Sequence, residues 1–254
     1  MAQKEYSRDA RATRRMPLRK IALAAVMLGS IPGYSRVGAS LHLQEDWHAT
    51  SDRNENAVLE YLGPALATAG KGALLYYQGD CREGEKYPVA FPLPNVQRPP
   101  KDTRGSAAVR EIFRDDKNVA IIEGQSGIIT IRIGNVSTAI LQTRIAHLNL
   151  SQLEQDFPSW TIYRLENTKD VEAAMRKLSF DASPFSPGLV NAVVPSGTPH
   201  LPSQMNDVTM QQMLELTAET FKGVVIYGAC TQPSGRSLFR LDFVDVVGWP
   251  GLRF

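Results

Sequence analysis

At 254 residues, with 43% hydrophobic and 21% charged side chains, the chain has a globular composition and enough apolar surface to bury a core. Its formal charge of +2 is unevenly spread. Eight of the 28 basic but only two of the 26 acidic residues lie in positions 1–39, so positions 40–254 carry 20 basic against 24 acidic groups. A net-acidic body argues against nucleic acid as a partner, because phosphate binders need a basic face. No apolar run approaches the roughly 18 residues of a membrane span.

The first element reads as an address. Seven basic residues precede the apolar run 21–28, followed by the breakers Gly29, Pro32 and Gly33 and the small residues Gly38, Ala39 and Ser40. Basic, then apolar, then small is the order of a secretory signal peptide. Residues 1–39 are therefore expected to be a removable leader, cut after Ala39 or Ser40. The mature chain is expected in a periplasmic or extracellular location, with no transmembrane span. Thr13-Arg14-Arg15-Met16-Pro17-Leu18 resembles a twin-arginine export signal and departs from it at Pro17. The competing readings are a basic tail joined to a buried helix and a mitochondrial presequence, for which Glu5 and Asp9 are awkward.

Residues 40–53 are polar and are expected to be irregular. Val58, Leu59, Leu62 and Leu66 recur at helical spacing, which predicts a helix over 54–69 that Pro64 interrupts. A strand follows at 73–78. Positions 79–104 hold Pro88, Pro92, Pro94, Pro99 and Pro100 and read as a long loop with one edge strand near 89–91. Ser106 caps a helix whose apolar face is Ala108, Val109, Ile112 and Phe113. Two β-branched runs, 119–122 and 128–133, flank Glu123-Gly-Gln-Ser-Gly127 and predict a hairpin.

Another helix is expected over 136–148, then helical segments at 160–165 and 171–178, with Pro184, Pro187 and Gly188 closing the region. Positions 189–194 read as a strand. Thr209-x-x-Gln212 is a capping-box pattern opening a helix with Met210, Met213, Leu214, Thr217 and Phe221 on one side, and Lys222-Gly223 ends it. A second hairpin, 224–229 with 238–246, turns across Pro233-Ser-Gly235. Helix, strand, turn and strand thus recur at 106–133 and 208–246. The expected class is α+β, with two such units whose helices pack on a mixed or antiparallel sheet. After the leader come an N-terminal part (40–104), a first αββ unit with further helices (105–183) and a second βαββ unit (184–254). A single mixed sheet covered by helices on one face would produce the same pattern.

Cys81 and Cys230 are the two cysteines. In an exported chain two thiols predict one disulfide. Each follows a β-like run, 73–77 and 224–227, so neighbouring strands would bring them together; free thiols are the alternative without export. There is no Cys-x-x-Cys pair, and His42, His48, His147 and His200 show no ligand spacing, so neither a metal nor a cofactor is expected. Gly124-Gln-Ser-Gly127 lacks the flanks of a nucleophile elbow, and Gly70-Lys71-Gly72 lacks the rest of a phosphate loop. The acidic pairs Asp115-Asp116 and Glu83/Glu85 read as solvated charge, and Tyr76-Tyr77 and Trp160/Tyr163 as packing.

Asn206-Asp-Val-Thr-Met-Gln-Gln-Met-Leu-Glu-Leu216, then Gly223-Val-Val-Ile-Tyr227 and the strand from Leu238, resembles the short N-terminal module of secretins and TonB-dependent receptors. The likeness extends in weaker form to 106–150. In that family an Asn-Val-Ser/Thr segment opens a helix that leads into two strands. The resemblance implies a small periplasmic module used for protein–protein contact or signalling; it carries over no functional residue, and no pore or receptor barrel follows. The expected function is that of an exported envelope or secreted protein that acts through a protein partner and not by catalysis. The alternative is a cofactor-free hydrolase or small-ligand binder whose site assembles around the 79–104 loop.

Overall fold

Ala73, Leu74, Leu75, Tyr76 and Tyr77 are all fully buried, although successive side chains point to opposite sides of a strand. Only a strand inside a sheet covered on both faces allows this. The computed structural model describes residues 38–81, 89–124, 127–182, 197 and 199–246, with side chains from Arg53 onward. In it β1 (Ala73–Gln78) lies parallel to β3 (Ile129–Ile133) on one side and to β7 (Val224–Thr231) on the other. β2 (Val119–Glu123) pairs antiparallel with β3 at one edge. β8 (Ser237–Val244) pairs antiparallel with β7, and the short β5 (Phe180–Ala182) lies parallel to β8 at the other edge. The order is β2-β3-β1-β7-β8-β5, a mixed sheet. A separate antiparallel pair joins β4 (Arg144–Asn149) to β6 (Gln204–Thr209).

The helices are α1 (Gly38–Ala69), α2 (Gly105–Ile112), α3 (Gln152–Asp156), α4 (Pro158–Glu166), α5 (Lys169–Leu178) and α6 (Met210–Phe221). One face of the sheet, with Leu75, Ile131, Val224 and Ile226, shares a core with Val58, Leu59, Leu62 and Leu66 of α1 and Val109 and Ile112 of α2. The other face, with Leu74, Tyr76, Val225, Tyr227 and Phe239, shares one with Ile162 and Leu165 of α4, Val171 of α5 and Met213 and Leu214 of α6. Each fully buried Leu or Ile stabilises the fold by about 1.5–3 kcal/mol. Leu41–Phe254 forms one compact unit. The class is α+β, as the sequence predicts, with helices on both faces. Among the described residues no helix is long and apolar enough to cross a membrane.

Local chemistry explains most boundaries. Thr209 Oγ1 accepts from the Gln212 amide at 3.1 Å while Gln212 Oε1 accepts from the Thr209 amide at 2.8 Å, the capping box expected for α6. Lys222 stops that helix in the left-handed region, at φ 54°. Gly235, at φ +82°, makes the turn between β7 and β8.

Four expectations need correction. Ser106 does not cap α2, which starts at Gly105 behind Arg104 with no side-chain cap. Residues 40–53 are helical, because between Gly38 and Gly63 no glycine or proline breaks the chain. Pro64 does not split α1 either. A proline inside a helix costs about 3 kcal/mol, and apolar burial at Leu59 and Leu62 before it and Leu66 after it exceeds that. Finally, 136–148 is not a helix but a short 3-10 helix (Ala139–Gln142) followed by β4. Ile140, Leu141, Ile145 and Leu148 suit a helical period, but pairing with β6 decides the outcome. The expected strand at 189–194 lies outside the described residues. So does the expected leader, apart from Gly38 and Ala39, which open α1.

Candidate functional site

Cys81 follows β1, and Cys230 is near the end of β7. Because those strands are neighbours, the two Cα atoms stand 5.5 Å apart, at disulfide distance. The start of the 79–104 loop thus lies against the sheet, and its return is tied there by hydrogen bonds. The Ala90 amide donates to the Asp80 carbonyl at 3.2 Å. Tyr77 Oη donates to the Val89 carbonyl at 3.0 Å, and Asn54 Nδ2 on α1 donates to the Phe91 carbonyl at 3.2 Å. Further along, the Gln97 amide reaches the Ile112 carbonyl at 2.8 Å and the Asn95 amide reaches Asp116 Oδ2 at 2.8 Å. Residues 98–104 follow this anchored stretch and run beside α1.

Beneath α1 lies a row of buried polar groups. Tyr77, Gly228 and Arg240 are cross-strand neighbours on β1, β7 and β8. A Cβ at position 228 would sit 2.2 Å from Tyr77 Cζ, so the glycine lets the phenol lie across β7. Arg240 donates to Glu55 Oε2 on α1 at 3.0 Å and to Asp242 Oδ2 at 2.8 Å. The side chains of Arg240, Glu55 and Asp242 are only 20%, 11% and 26% exposed. Burial opposes the charge on Arg240, but Glu55, Tyr77 and Asp242 outweigh it and hold the guanidinium protonated. Burial pushes the Tyr77 phenol well above its ordinary range, so it remains a neutral donor. The row holds α1 to the sheet.

Around α1 from that row, a half-open groove of about 590 Å3 separates the helix from 98–104. Tyr61, Pro64 and Ala65 form one apolar wall, and Pro99, Pro100 and Ala108 the other. Arg98, Lys101 and Arg104 also line it, against the single lining carboxylate of Glu60. None of these three cations is ion-paired with a described residue. Of the lining hydroxyls, those of the two threonines are engaged: Thr68 donates to the Pro64 carbonyl at 2.6 Å and Thr103 to the Pro100 carbonyl at 2.6 Å. Among the described residues, no His, Cys or Ser lines the groove. Its inventory of apolar walls and exposed cations suits binding.

Other polar groups are buried without a partner among the described residues: Tyr76 Oη, Arg132 Nε, Trp160 Nε1, Arg164 Nε and Glu166 Oε1. Burial, then the Asp242 carboxylate, pushes Glu166 up to about 8, so it is largely protonated at neutral pH. None of these lines the groove, nor a second concavity of about 400 Å3 beside α6 and β6, where Met205 and Leu216 meet Asp207, Glu215 and Glu219. Asp207 there is held by Arg144 at 2.6 Å.

Of the residues singled out from sequence, Cys81 and Cys230 come together. Tyr76 and Tyr77 are core residues, and Trp160 packs edge-on against Tyr163 at 5.9 Å. Asp115 and Asp116 hold Gln97 and the Asn95 amide, so they brace the loop. Gly127, at φ +78°, accepts its place in the hairpin turn by donating to Gly124 at 2.9 Å. His147 pairs with Asn206 across β4 and β6 at 2.7 Å. Glu83 and Glu85 lie outside the described residues. Sequence reading missed the groove cations, whose signal was three basic residues at intervals of three around Pro99-Pro100. It also missed Arg240 and Asp242, opposite charges two positions apart on the inward face of an otherwise apolar strand.

The molecule is therefore an α+β protein with a cysteine pair at disulfide distance and an apolar-walled cationic groove. No family model matches the sequence, and no curated protein or solved structure matches it either.

Proposed function

We propose that the chain is an exported protein that works by holding a partner protein in the groove between α1 and 98–104, without catalysing a reaction. The observation that carries this reading is the groove itself: apolar walls, three cations with no ion pair among the described residues, and threonine hydroxyls already engaged. The cysteine pair supports export, since disulfides persist in oxidising compartments. Kinship of 206–246 with the periplasmic modules of secretins and TonB-dependent receptors belongs to the same proposal and fits a contact role. A second reading, a small-ligand binder, has the groove volume in its favour, because ligand pockets span roughly 300–1,000 Å3. Its half-open form favours a segment that enters and leaves over a larger protein.

A photo-cross-linking residue placed at position 101, in the full chain made in its native cell, tests the reading. The expected outcome is a discrete protein adduct in the envelope or secreted fraction, absent when the probe replaces exposed Lys177 at the end of α5. The mature N-terminus should begin after Ala39 or Ser40. Equal adducts at both positions, none at either, or an intact start at Met1 or Ala2 overturns it.

A further inference from the structure

We infer that the groove between α1 and 98–104 recognises an acidic peptide segment, with two or more carboxylates beside one apolar or aromatic side chain. This rests on the contact role proposed above and adds the chemistry of the partner.

Charge comes first. Positions 40–254 are net acidic, yet Arg98, Lys101 and Arg104 bring three exposed cations to one wall. Lys71, Arg144, Arg236 and Arg240 are ion-paired with Glu123, Asp207, Asp181 and Glu55, whereas the three groove cations, gathered along 98–104, have no ion pair with a described residue. Unpaired cations on an anchored segment are complementary to carboxylates, and a charge-assisted hydrogen bond is about twice as strong as a neutral one. A polyanion such as nucleic acid would meet the acidic remainder of the surface, whereas a short acidic segment touches the groove alone.

The walls supply the second constraint. Tyr61 and Pro64 face Pro99 and Pro100, side chains with little rotamer freedom to lose on binding. An apolar or aromatic residue of the partner fits between them. Pro64 has no N–H to offer the carbonyl of Glu60, a groove residue, and so leaves an acceptor in that turn without its helical donor. The Glu60 carboxylate repels acid on the α1 side, which sets the orientation: carboxylates toward 98–104, apolar residue toward Tyr61.

The test uses the full oxidised chain and short peptides carrying a neutral fluorophore, read by anisotropy. The probes are a Glu-rich peptide with one Phe, the same peptide with Ala for Phe, a Lys-for-Glu version, and an oligothymidine of similar length. The acidic Phe peptide should bind most tightly, and added salt should weaken it. Arg98→Ala/Lys101→Ala/Arg104→Ala should weaken it by about tenfold or more without moving the melting temperature. Tyr61→Ala should weaken the Phe peptide more than its Ala counterpart. Should the triple variant fail to fold, Lys101→Gln alone is expected to weaken binding by a few-fold. Equal binding of acidic and Lys-rich peptides, undiminished binding by the folded variants, or preference for the oligothymidine overturns the inference. If the cross-linker at 101 captures a partner while acidic peptides do not bind, the peptide chemistry alone fails; if both fail, the contact role goes with it.

Discussion

Helix α1 meets charge on two of its sides, and the two sides handle it oppositely. Beneath it, Arg240 is matched by Glu55 and Asp242 at 3.0 and 2.8 Å, with little water to screen the charges. Beside it, Arg98, Lys101 and Arg104 line a groove with one carboxylate among them and no ion pair with a described residue. A buried charge must be compensated within the fold or the fold is lost. An exposed one is free of that requirement, so a cluster of them beside an apolar wall is available to something outside the chain. Structural charge and contact charge can thus be separated by substitution.

The largest effect is expected beneath the helix. Arg240→Met leaves Glu55 buried without this guanidinium partner and should lower unfolding free energy by about 3–5 kcal/mol in urea titration. Adding Glu55→Leu should recover part of the loss, because it removes the more buried of the two carboxylates that Arg240 neutralises and leaves Asp242. A small loss from Arg240→Met alone would place this row among ordinary surface pairs.

Next in size is the cysteine pair at disulfide distance. Cys81→Ser/Cys230→Ser should destabilise the chain by about 2–5 kcal/mol, and reductant should lower the melting temperature of the wild type but not of the variant. Because Cys81 ties down the start of the loop that leads to 98–104, the variant should also show faster amide exchange across 89–97.

Smaller, and dependent on pH, is Glu166. Its folded carboxyl titrates near 8 against an ordinary value of 4.5, so between those values the folded state keeps a proton that the unfolded state has released. The proton-linked stability is fully present below about pH 4.5 and is lost as pH rises through 8, on the order of a few kcal/mol in total. Glu166→Gln, near in shape and unable to ionise, should therefore become progressively more stable than the wild type between pH 5 and 8. A difference that does not change with pH would contradict the assignment.

How far the sequence foretold all this follows from the range of each interaction. Thr209 and Gln212 cap α6 from within four residues, and both hairpins turn on nearby glycines, so they could be read directly. Cys81 and Cys230 could be paired because each ends a β-like run and the chain has no other cysteine. β4 was misread because Ile145 and Leu148, three positions apart, follow a helical period, and only the pairing with Val208 and Met205 overrides it. The 79–104 loop could be named as the place for a site, but its α1 wall could not, for a similar reason. The groove's walls come from α1 and from a segment about forty positions later, brought alongside by the Asn54–Phe91 and Gln97–Ile112 hydrogen bonds. Glu55 and Arg240 lie 185 positions apart and carry no local signature.

Reversing the groove's sign gives the most direct test. Arg98→Glu/Arg104→Glu, assayed against the Glu-rich and Lys-rich Phe peptides, should exchange the preference of the chain while its melting temperature holds. Retention of the acidic preference by the folded variant, or loss of the fold on reversal, would contradict the division between paired charge that holds α1 and unpaired charge that receives a partner.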